Sequence, residues 1–336
     1  MSTIYEVSAL AGVSLSSVSR VLNDHQHVSE KTKKKVKAAM KELNYRPNTI
    51  ARSLASNRSN SIGVLVPELH GPFFGTMLSS IELELRNAGK HVVITAGHSD
   101  EESEKKGVDF LNDRNCDALI LFVDAISDDY LIKLSKSKTP FVILNRLIPE
   151  ISGNCFYLDN ELGGYLAAKY LIEKGHENIA YISGPKTKQD TKERLIGHKK
   201  ALTEAGIPFK ENLIFEGDYS TNSGRKCFND LIENKIIFTA VACANDEMAS
   251  GAMRGARDNK YLVPEQCSII GFDNNFFGEY LYPRLTTINY PINEMATMST
   301  HWILKNVYKQ NGLDIRNKFV PELVERKSVT PTMITK

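Results

Sequence analysis

The 336-residue sequence has little of several features that mark particular classes of protein. Its five cysteines form no C-x-x-C pair, which argues against a disulfide framework or a zinc site and indicates buried thiols in a reducing compartment. It has no run of about 18 uncharged apolar residues, and its first residues lack the basic flank and apolar core of a secretory signal. We therefore expect a cytoplasmic protein without a membrane span.

Motifs for catalysis are also missing. The sequence contains neither a G-x-x-x-x-G-K-[ST] phosphate loop nor a G-x-S-x-G nucleophile turn. His176 and Glu177 are not followed by the second histidine of a zinc helix, and the eight histidines show no metal-ligand spacing. We expect no enzyme, no cofactor and no metal site.

Basic residues are concentrated at one end of the chain. Residues 1–60 hold ten Lys or Arg and four Asp or Glu, a formal charge of +6, whereas the rest of the chain carries −4. This asymmetry predicts a small module that binds a polyanion, attached to a larger domain with another task. The segment Lys31–Lys37, taken alone, could equally be a solvated basic helix. The residues around it distinguish this interpretation from a polyanion-binding module.

Those neighbours predict three short helices. Thr3, with Glu6 three residues later, caps a helix over Ile4–Ala11; Ser14 caps one over Leu15–Leu22; and Ser29 caps one over Glu30–Leu43. The tight turn at Gly12 between the first two is typical of a helix-turn-helix. The side chains spaced for a shared core are Val7, Ala11, Val13, Val18, Leu22, Val36, Met40 and Leu43.

The second helix carries the candidate contacts. A recognition helix presents its N-terminal residues to base edges, and Arg20 could form a bidentate pair with a guanine. Ser14, Ser17 and Ser19 suit phosphate oxygens, which fix register rather than sequence. A serine-rich surface helix is the alternative, and the caps, the turn, the third helix and the charge together argue against it.

The stretches Thr3–Asn23 and Val28–Asn48 resemble the headpiece of the lactose-repressor/galactose-repressor (LacI/GalR) family of bacterial transcription factors. The resemblance implies that Leu15, Ser16 and Arg20 read bases. It implies backbone contacts for a second set, which comprises Tyr5, Ser14, Ser17, Ser19, Asn23, His27 and Thr32.

The segment Asn48–Ser56 has the pattern of a helix too short to be stable alone. The resemblance implies a hinge helix that forms in the minor groove, where Leu54 would wedge between base steps and kink the duplex. A linker leucine on the domain surface is the alternative. Ala55 departs from relatives that carry a cation there.

From Ser61 onward, short apolar runs alternate with amphipathic stretches. This alternation predicts a doubly wound α/β architecture, in two similar lobes, with a ligand crevice at the carboxyl ends of the strands. Two helices are expected over Glu161–Lys174, capped by Asn160, and over Lys192–Ala205. Strands are expected at Ile62–Val66, Val92–Thr95, Ala118–Phe122, Phe141–Leu144, Ile179–Ile182, Ala240–Ala244 and Ser268–Phe272.

The resemblance extends to this body, which is similar to the family's effector core and to periplasmic sugar-binding proteins of type I. It implies a helix-turn-helix headpiece over 1–46, a hinge over 47–60, and an effector-binding and dimerisation core over 61–336. The expected N-lobe covers about 61–159 and 291–320, and the C-lobe about 160–288 and 321–330. The expected crossings between lobes lie near 158–162, 287–292 and 318–323.

Polar residues at strand ends are the candidates for ligand binding. Asn245 and Asp273 each close a predicted strand, and with Arg194 they make a set suited to vicinal hydroxyls. The resemblance implies that the effector pocket is lined by Phe73, Asn145, Arg194, Tyr219, Asn245, Asp273 and Tyr290. The sequence leaves open whether Phe74 and His70 line the pocket or belong to the core and a loop, respectively. Asp246 is expected to cap a helix.

These observations favour a repressor that binds double-stranded operator DNA as a homodimer and responds to a galactose-like sugar. No heptad run follows the core, which is why a dimer rather than a tetramer is expected. One alternative keeps the fold but takes a purine or a phosphorylated carrier protein as co-repressor. The other is a sugar-binding protein without a regulatory role.

Overall fold

The computed structural model describes residues 2–22, 27–45 and 58–332. The chain divides into two compact units, residues 1–60 and residues 61–336. We call the described part of the first unit the head and the second unit the core.

The head contains three helices: α1 (Ile4–Ala11), α2 (Leu15–Leu22) and α3 (Glu30–Glu42). Thr3 and Glu6 form the reciprocal capping box that the sequence predicted, and Gly12 ends α1 in the left-handed conformation with φ 62°. These local signals set the helix boundaries, so the predicted helix-turn-helix is confirmed.

The inward face of α2 differs slightly from the prediction. Val18 and Val21 are buried, whereas Leu22, predicted to point inward, is only half-buried. In α3 the same shift makes Ala39 buried and Met40 half-buried. In each helix the i, i+3 neighbour is the more deeply buried, while Leu22 and Met40 still pack against the buried side chains, as predicted.

The core alternates strands and helices. Its strands are β1 (Ser61–Val66), β2 (His91–Ala96), β3 (Ala118–Leu121), β4 (Phe141–Leu144), β5 (Cys155–Leu158), β6 (Ile179–Ser183), β7 (Ile214–Glu216), β8 (Ala240–Cys243), β9 (Ser268–Asp273), β10 (Thr286–Asn289), β11 (Lys318–Phe319) and β12 (Glu322–Val324). Its α-helices are α4 (Pro72–Asn87), α5 (Glu101–Asp113), α6 (Asp128–Leu134), α7 (Asn160–Glu173), α8 (Gln189–Glu204), α9 (Thr221–Glu233), α10 (Asp246–Asp258) and α11 (Ile292–Asn306). Short 3₁₀ turns lie at Pro149–Asn154, Glu211–Leu213 and Phe276–Glu279.

The strands form two six-stranded sheets, one in each lobe. The first lobe has the order β11-β5-β4-β3-β1-β2, with every paired neighbour parallel. The second lobe has the order β12-β10-β9-β8-β6-β7 and is parallel except for the pair of β10 with β12. Strands buried on both faces read as continuous apolar runs, as in β3 and β8. The predicted two-lobed α/β architecture is confirmed.

The chain passes between the two sheets three times. It leaves the first sheet after β5, returns after β10 through α11, which packs on α4 and β4, and crosses again between β11 and β12. Each lobe is therefore assembled from separate stretches of chain. The carboxyl ends of the parallel strands from both sheets meet at the crevice between the lobes.

Several elements differ from the sequence prediction. The strands β5, β7, β10, β11 and β12, which span two to four residues, were not predicted. Helix α7 begins one residue earlier than expected and is capped by Asp159, whose Oδ1 accepts from Leu162 N at 3.1 Å; Asn160 is not the cap. Helix α8 begins three residues early, at Gln189, without a side-chain cap.

Over residues 2–22, 27–45 and 58–332, no helix combines the length and apolar character that crossing a bilayer requires.

Candidate functional site

The head presents its predicted DNA-contacting side chains on its surface. Leu15, Ser16, Ser19 and Arg20 on α2 are exposed, while Val18 is buried and packs inside the head. Tyr5, Ser14 and His27 are exposed, and Ser17 and Thr32 are half-buried. The structure brings Ser14, Ser16 and Ser17 together, because Ser14 Oγ lies 2.8 Å and 2.9 Å from the hydroxyls of the other two.

The hydroxyl groups of Ser14 and Ser29 also cap helices. Ser17 N donates to Ser14 Oγ at 3.2 Å at the start of α2, and Thr32 N donates to Ser29 Oγ at 3.2 Å at the start of α3. The positive ends of both helices therefore lie next to hydroxyl groups that can contact a phosphate. The predicted contacts Asn23 and Leu54, and the predicted hinge helix, lie outside the described residues.

A cavity of about 360 Å³ lies between the two lobes of the core. This volume falls within the range of about 300–1,000 Å³ that is usual for small-molecule sites. We call it the interlobe cavity. All seven residues predicted for the effector pocket line it: Phe73, Asn145, Arg194, Tyr219, Asn245, Asp273 and Tyr290. The two residues left open, His70 and Phe74, line it as well.

Arg194 is the most constrained of these side chains. Its Nε donates to Asn160 Oδ1 at 2.9 Å, its Nη1 donates to Ala244 O, and its guanidinium lies 3.7 Å from the centroid of the Phe272 ring. Its side chain is only 4% exposed, and carboxylate oxygens of Asp190 and Asp273 lie 3.8 Å and 3.9 Å away. A buried cation is therefore held at the floor of the cavity by fixed partners.

Asn145 joins elements from both lobes. Its Oδ1 accepts from Tyr290 Oη at 2.9 Å and from Asn160 Nδ2 at 3.4 Å, and its Nδ2 donates to Asp190 Oδ2 at 3.3 Å. Asn145 follows β4 of the first lobe with φ 61°, a left-handed conformation that asparagine tolerates. Its amide thus connects the first lobe to α7 and α8 of the second.

Asn245 takes the capping role expected of Asp246 in addition to its own predicted place in the cavity. Asn245 lines the cavity and also caps α10, since its Oδ1 accepts from Met248 N at 2.9 Å. Asp246, expected to be the cap, is fully buried and accepts from Asn275 N at 2.7 Å and from Thr287 Oγ1 at 2.6 Å. Burial outweighs these hydrogen bonds and raises the pKa of Asp246 to about 7.

Asp273 ends β9 at the cavity with φ 112°, a conformation that L-residues rarely adopt. Its side chain is 8% exposed. Burial, only partly opposed by Arg194, raises its pKa well above the ordinary value. A ligand hydroxyl, which both donates and accepts, could form a hydrogen bond with this group.

An aromatic wall closes one side of the cavity. The ring of Phe73 meets those of Phe74, Phe122 and Tyr290 edge to face, with centroids 5.3, 6.1 and 5.0 Å apart. Across the cavity, Tyr219 Oη lies 2.8 Å from Thr191 Oγ1. Apolar rings and polar groups thus share the lining, as is usual in small-molecule sites.

Sequence reasoning missed six charged residues of the cavity: Glu68, Asp124, Lys188, Asp190, Asp218 and Glu247. Most follow strand ends or begin helices, so their position after a predicted strand was the available signal. Behind them, the buried carboxylate of Glu104 accepts from the amides of Asp124, Ala125 and Ile126 at 2.8–3.0 Å and fixes that loop. The described residues contain no cluster of three or more side chains suited to hold a metal ion.

The chain is similar over nearly its whole length to known regulators. Residues 3–48 match the model of bacterial regulatory proteins of the lacI family, and residues 168–329 match a periplasmic binding protein-like domain. The transcriptional regulator GalR of Salmonella typhimurium is 38% identical over 333 residues, which cover 99% of this chain and 97% of GalR. The repressor PurR of Mannheimia succiniciproducens is 34% identical over 332 residues, 98% of this chain and 99% of PurR.

A solved structure of the lac repressor dimer, bound to operator and the anti-inducer ONPF, superimposes with a TM-score of 0.87 at 31% identity. The match covers 98% of this chain and 99% of the repressor. Head, core and relatives together define a DNA-binding transcriptional regulator, and both named relatives are regulators rather than enzymes, as expected. The chain belongs to the LacI/GalR family, and its similarity to GalR supports the galactose-repressor branch.

Proposed function

We propose that this protein is a repressor that binds a pseudo-palindromic operator as a homodimer and that a small, galactose-like sugar in the interlobe cavity controls its operator affinity. The observation that carries the proposal is the polar set at the cavity floor, where Arg194, Asp273 and Asn145 converge opposite aromatic rings. A hydroxyl both donates and accepts, so a polyol can use a guanidinium, a carboxylate and an amide together.

The position of the cavity supports control of DNA binding. Its walls belong to both lobes, so a ligand that fits one arrangement of the lobes better than another shifts the equilibrium between them. Only this difference in affinity can change how well two heads engage one operator.

A surface on the second lobe supports self-association. Phe276, Tyr280 and Tyr282, in the loop between β9 and β10, are 68%, 82% and 88% exposed. Clustered exposed aromatic side chains are typical of protein interfaces. We assign this loop to the contact with a second copy of the chain.

The proposal is tested by selecting duplexes from a random pool with the full chain and measuring their affinity by gel shift. We expect one palindromic motif to be enriched and its affinity to fall when galactose or a galactoside is added. Hypoxanthine and a phosphorylated carrier protein are tested in parallel. If operator affinity responds to one of them and not to the sugars, that compound is the effector and the sugar assignment is wrong. If no sequence is enriched, or if the chain without residues 1–60 binds as well, the proposal is wrong.

Two variants separate base reading from phosphate contact. Arg20→Ala should cost about 1–3 kcal/mol on the selected duplex and relax its sequence preference, because Arg20 is exposed on α2. Lys34→Ala, on the exposed face of α3, should weaken binding to all duplexes alike and reduce the salt slope by about 1. Equal effects of both variants on every sequence would contradict the assignment of α2 as the recognition helix.

A further inference from the structure

The interlobe cavity is strongly biased in charge. Its lining contains two permanent cations, Lys188 and Arg194, two histidines, His70 and His98, and six carboxylates. The carboxylates belong to Glu68, Asp124, Asp190, Asp218, Glu247 and Asp273. A wall with this balance attracts cations and repels anions.

Both cations are already paired with carboxylates of the site. Lys188 Nζ lies 2.9 Å from Asp124 Oδ2, and the two side chains are 19% and 13% exposed. The guanidinium of Arg194 is held between Asp190 and Asp273 and is 4% exposed. A phosphate or carboxylate on a ligand that approached either cation would also lie next to the carboxylate already paired with it, and the two anions would repel each other in a poorly solvated site.

Two of the carboxylates lack a hydrogen-bond donor. Within the described part of the chain, no donor lies within hydrogen-bond distance of the carboxylate of Asp273. Its side chain is only 8% exposed, so water has little access to it. The carboxylate of Glu247 likewise accepts no hydrogen bond from a described residue. Such groups call for a donor from the ligand, and a protonated amine supplies up to three.

Glu247 and Glu68 face each other from opposite lobes. Glu247 lies in the first turn of α10, and a Cβ placed on Gly71 of the first lobe would lie 3.3 Å from its Oε1. Burial, and after it the charge of Glu68, raises the pKa of Glu247. Among the described residues, Glu68 pairs with His70, whose Nε2 lies at 3.3 Å, and with no lysine or arginine.

We propose that the interlobe cavity selects its ligand by charge: it takes neutral sugars and amino sugars with a protonated amine, and it rejects sugars that carry a phosphate or carboxylate. The inference rests on the proposed sugar-binding function and narrows it. The bias against anionic ligands remains even if Asp273 and Glu247 both bind protons, because four carboxylates then remain against two cations.

The test is calorimetry on the full chain with four matched ligands: galactose, galactosamine, galactose 6-phosphate and galacturonate. At about pH 6.5, where a primary amine of this kind is protonated, galactosamine should bind at least as tightly as galactose. The two anionic sugars should bind at least about 100-fold more weakly, since each added charge opposes uncompensated carboxylates in a low dielectric. Binding of galactose 6-phosphate as tight as that of galactose would overturn the inference and leave the sugar-binding function intact.

Variants test where the selectivity arises. Glu247→Gln and Glu68→Gln should each lower the ratio of galactosamine to galactose affinity about tenfold. Glu265→Gln, an exposed position outside the cavity, is the control and should leave that ratio unchanged. The ratio reports charge rather than folding, because a general structural defect weakens both ligands alike. An unchanged ratio in both cavity variants contradicts the inference, and a panel in which no sugar binds contradicts the proposed function itself.

Discussion

His198 shows how one buried residue can make stability depend on pH. It is fully buried in α8, its ring centroid lies 4.7 Å from that of Tyr181, and neither ring nitrogen has a hydrogen-bond partner among the described residues. Burial lowers its pKa to about 4, so the folded protein excludes a proton that the unfolded chain accepts near pH 6.5. The contribution of His198 to the free energy of unfolding is complete above about pH 6.5 and is lost as the pH falls toward 4.

We predict that His198→Leu reduces this loss, because leucine cannot take up the proton in either state. In urea unfolding at fixed protein concentration, the difference in unfolding free energy between pH 7.5 and pH 5 should shrink by about 2 kcal/mol. His176 is also buried with a lowered pKa and keeps part of the slope in the variant. A variant with the same pH dependence as the parent would show that His198 titrates normally in the fold.

For single residues, the sequence predicted which side chains at strand ends lie at the cavity. It did not predict the roles of the residues next to them. Asn245 and Asp273 were placed correctly at the cavity because the carboxyl ends of parallel strands define the crevice. Asp246 was misassigned because an N-cap can shift by one residue without changing the pattern. Lys188 reaches Asp124 across the lobes, a long-range pairing that no local pattern indicates.

At the scale of elements, the contact between α7 and α8 depends on glycine. A Cβ on Gly197 of α8 would lie 1.8 Å from the backbone oxygen of Glu161 in α7, and one on Gly164 would lie 2.0 Å from that of Arg194. The two helices therefore approach more closely than any larger residue allows. Because Arg194 lies one turn before Gly197, this contact also sets the position of the guanidinium in the cavity.

Gly197→Ala should separate the two helices and affect both stability and binding. We expect a loss of about 1–3 kcal/mol in unfolding free energy and about tenfold weaker sugar binding, measured by urea unfolding and calorimetry. Gly153→Ala is the control, since a Cβ there meets nothing within 4 Å, and it should change stability by less than about 0.5 kcal/mol. If Gly197→Ala behaves like Gly153→Ala, the close helix contact does not position Arg194.

Element prediction succeeded where sequence signals were local. The apolar runs that became β1, β3, β4, β6, β8 and β9 were recognised from the sequence, and the capping box of α1 fixed its first residue. The shortest missed strands are held by their neighbours rather than by their own sequence; β11, for example, is only Lys318–Phe319 beside β5. Tertiary pairing defines such strands, so single-sequence patterns cannot.

For the whole molecule, the pair Asp124–Lys188 is a link between lobes. Asp124 follows the β3 end of the first lobe and is fixed by a hydrogen bond from Ser99 Oγ at 2.7 Å, while Lys188 precedes α8 of the second lobe. Because both groups are largely buried, the pair favours the lobe arrangement seen here more than a surface ion pair would.

Lys188→Met should lower the population of this arrangement and weaken galactose binding about tenfold, because only the competent fraction binds. Lys186→Met is the control, since Lys186 pairs with Glu216 within the second lobe at 3.1 Å and is exposed. A double-mutant cycle with Asp124→Asn isolates the coupling, and additive effects in calorimetry would show that the pair does not join the lobes energetically.

The last two strands of the core have a consequence for how the chain acquires its shape. β11 and β12 lie only a few residues apart near residue 320, yet one completes the sheet of the first lobe and the other that of the second. A nascent polypeptide can form the three helices of the head from local contacts early in translation. Neither sheet can be finished until nearly every residue has been synthesised, so premature termination before Lys318 would leave both unfinished at once.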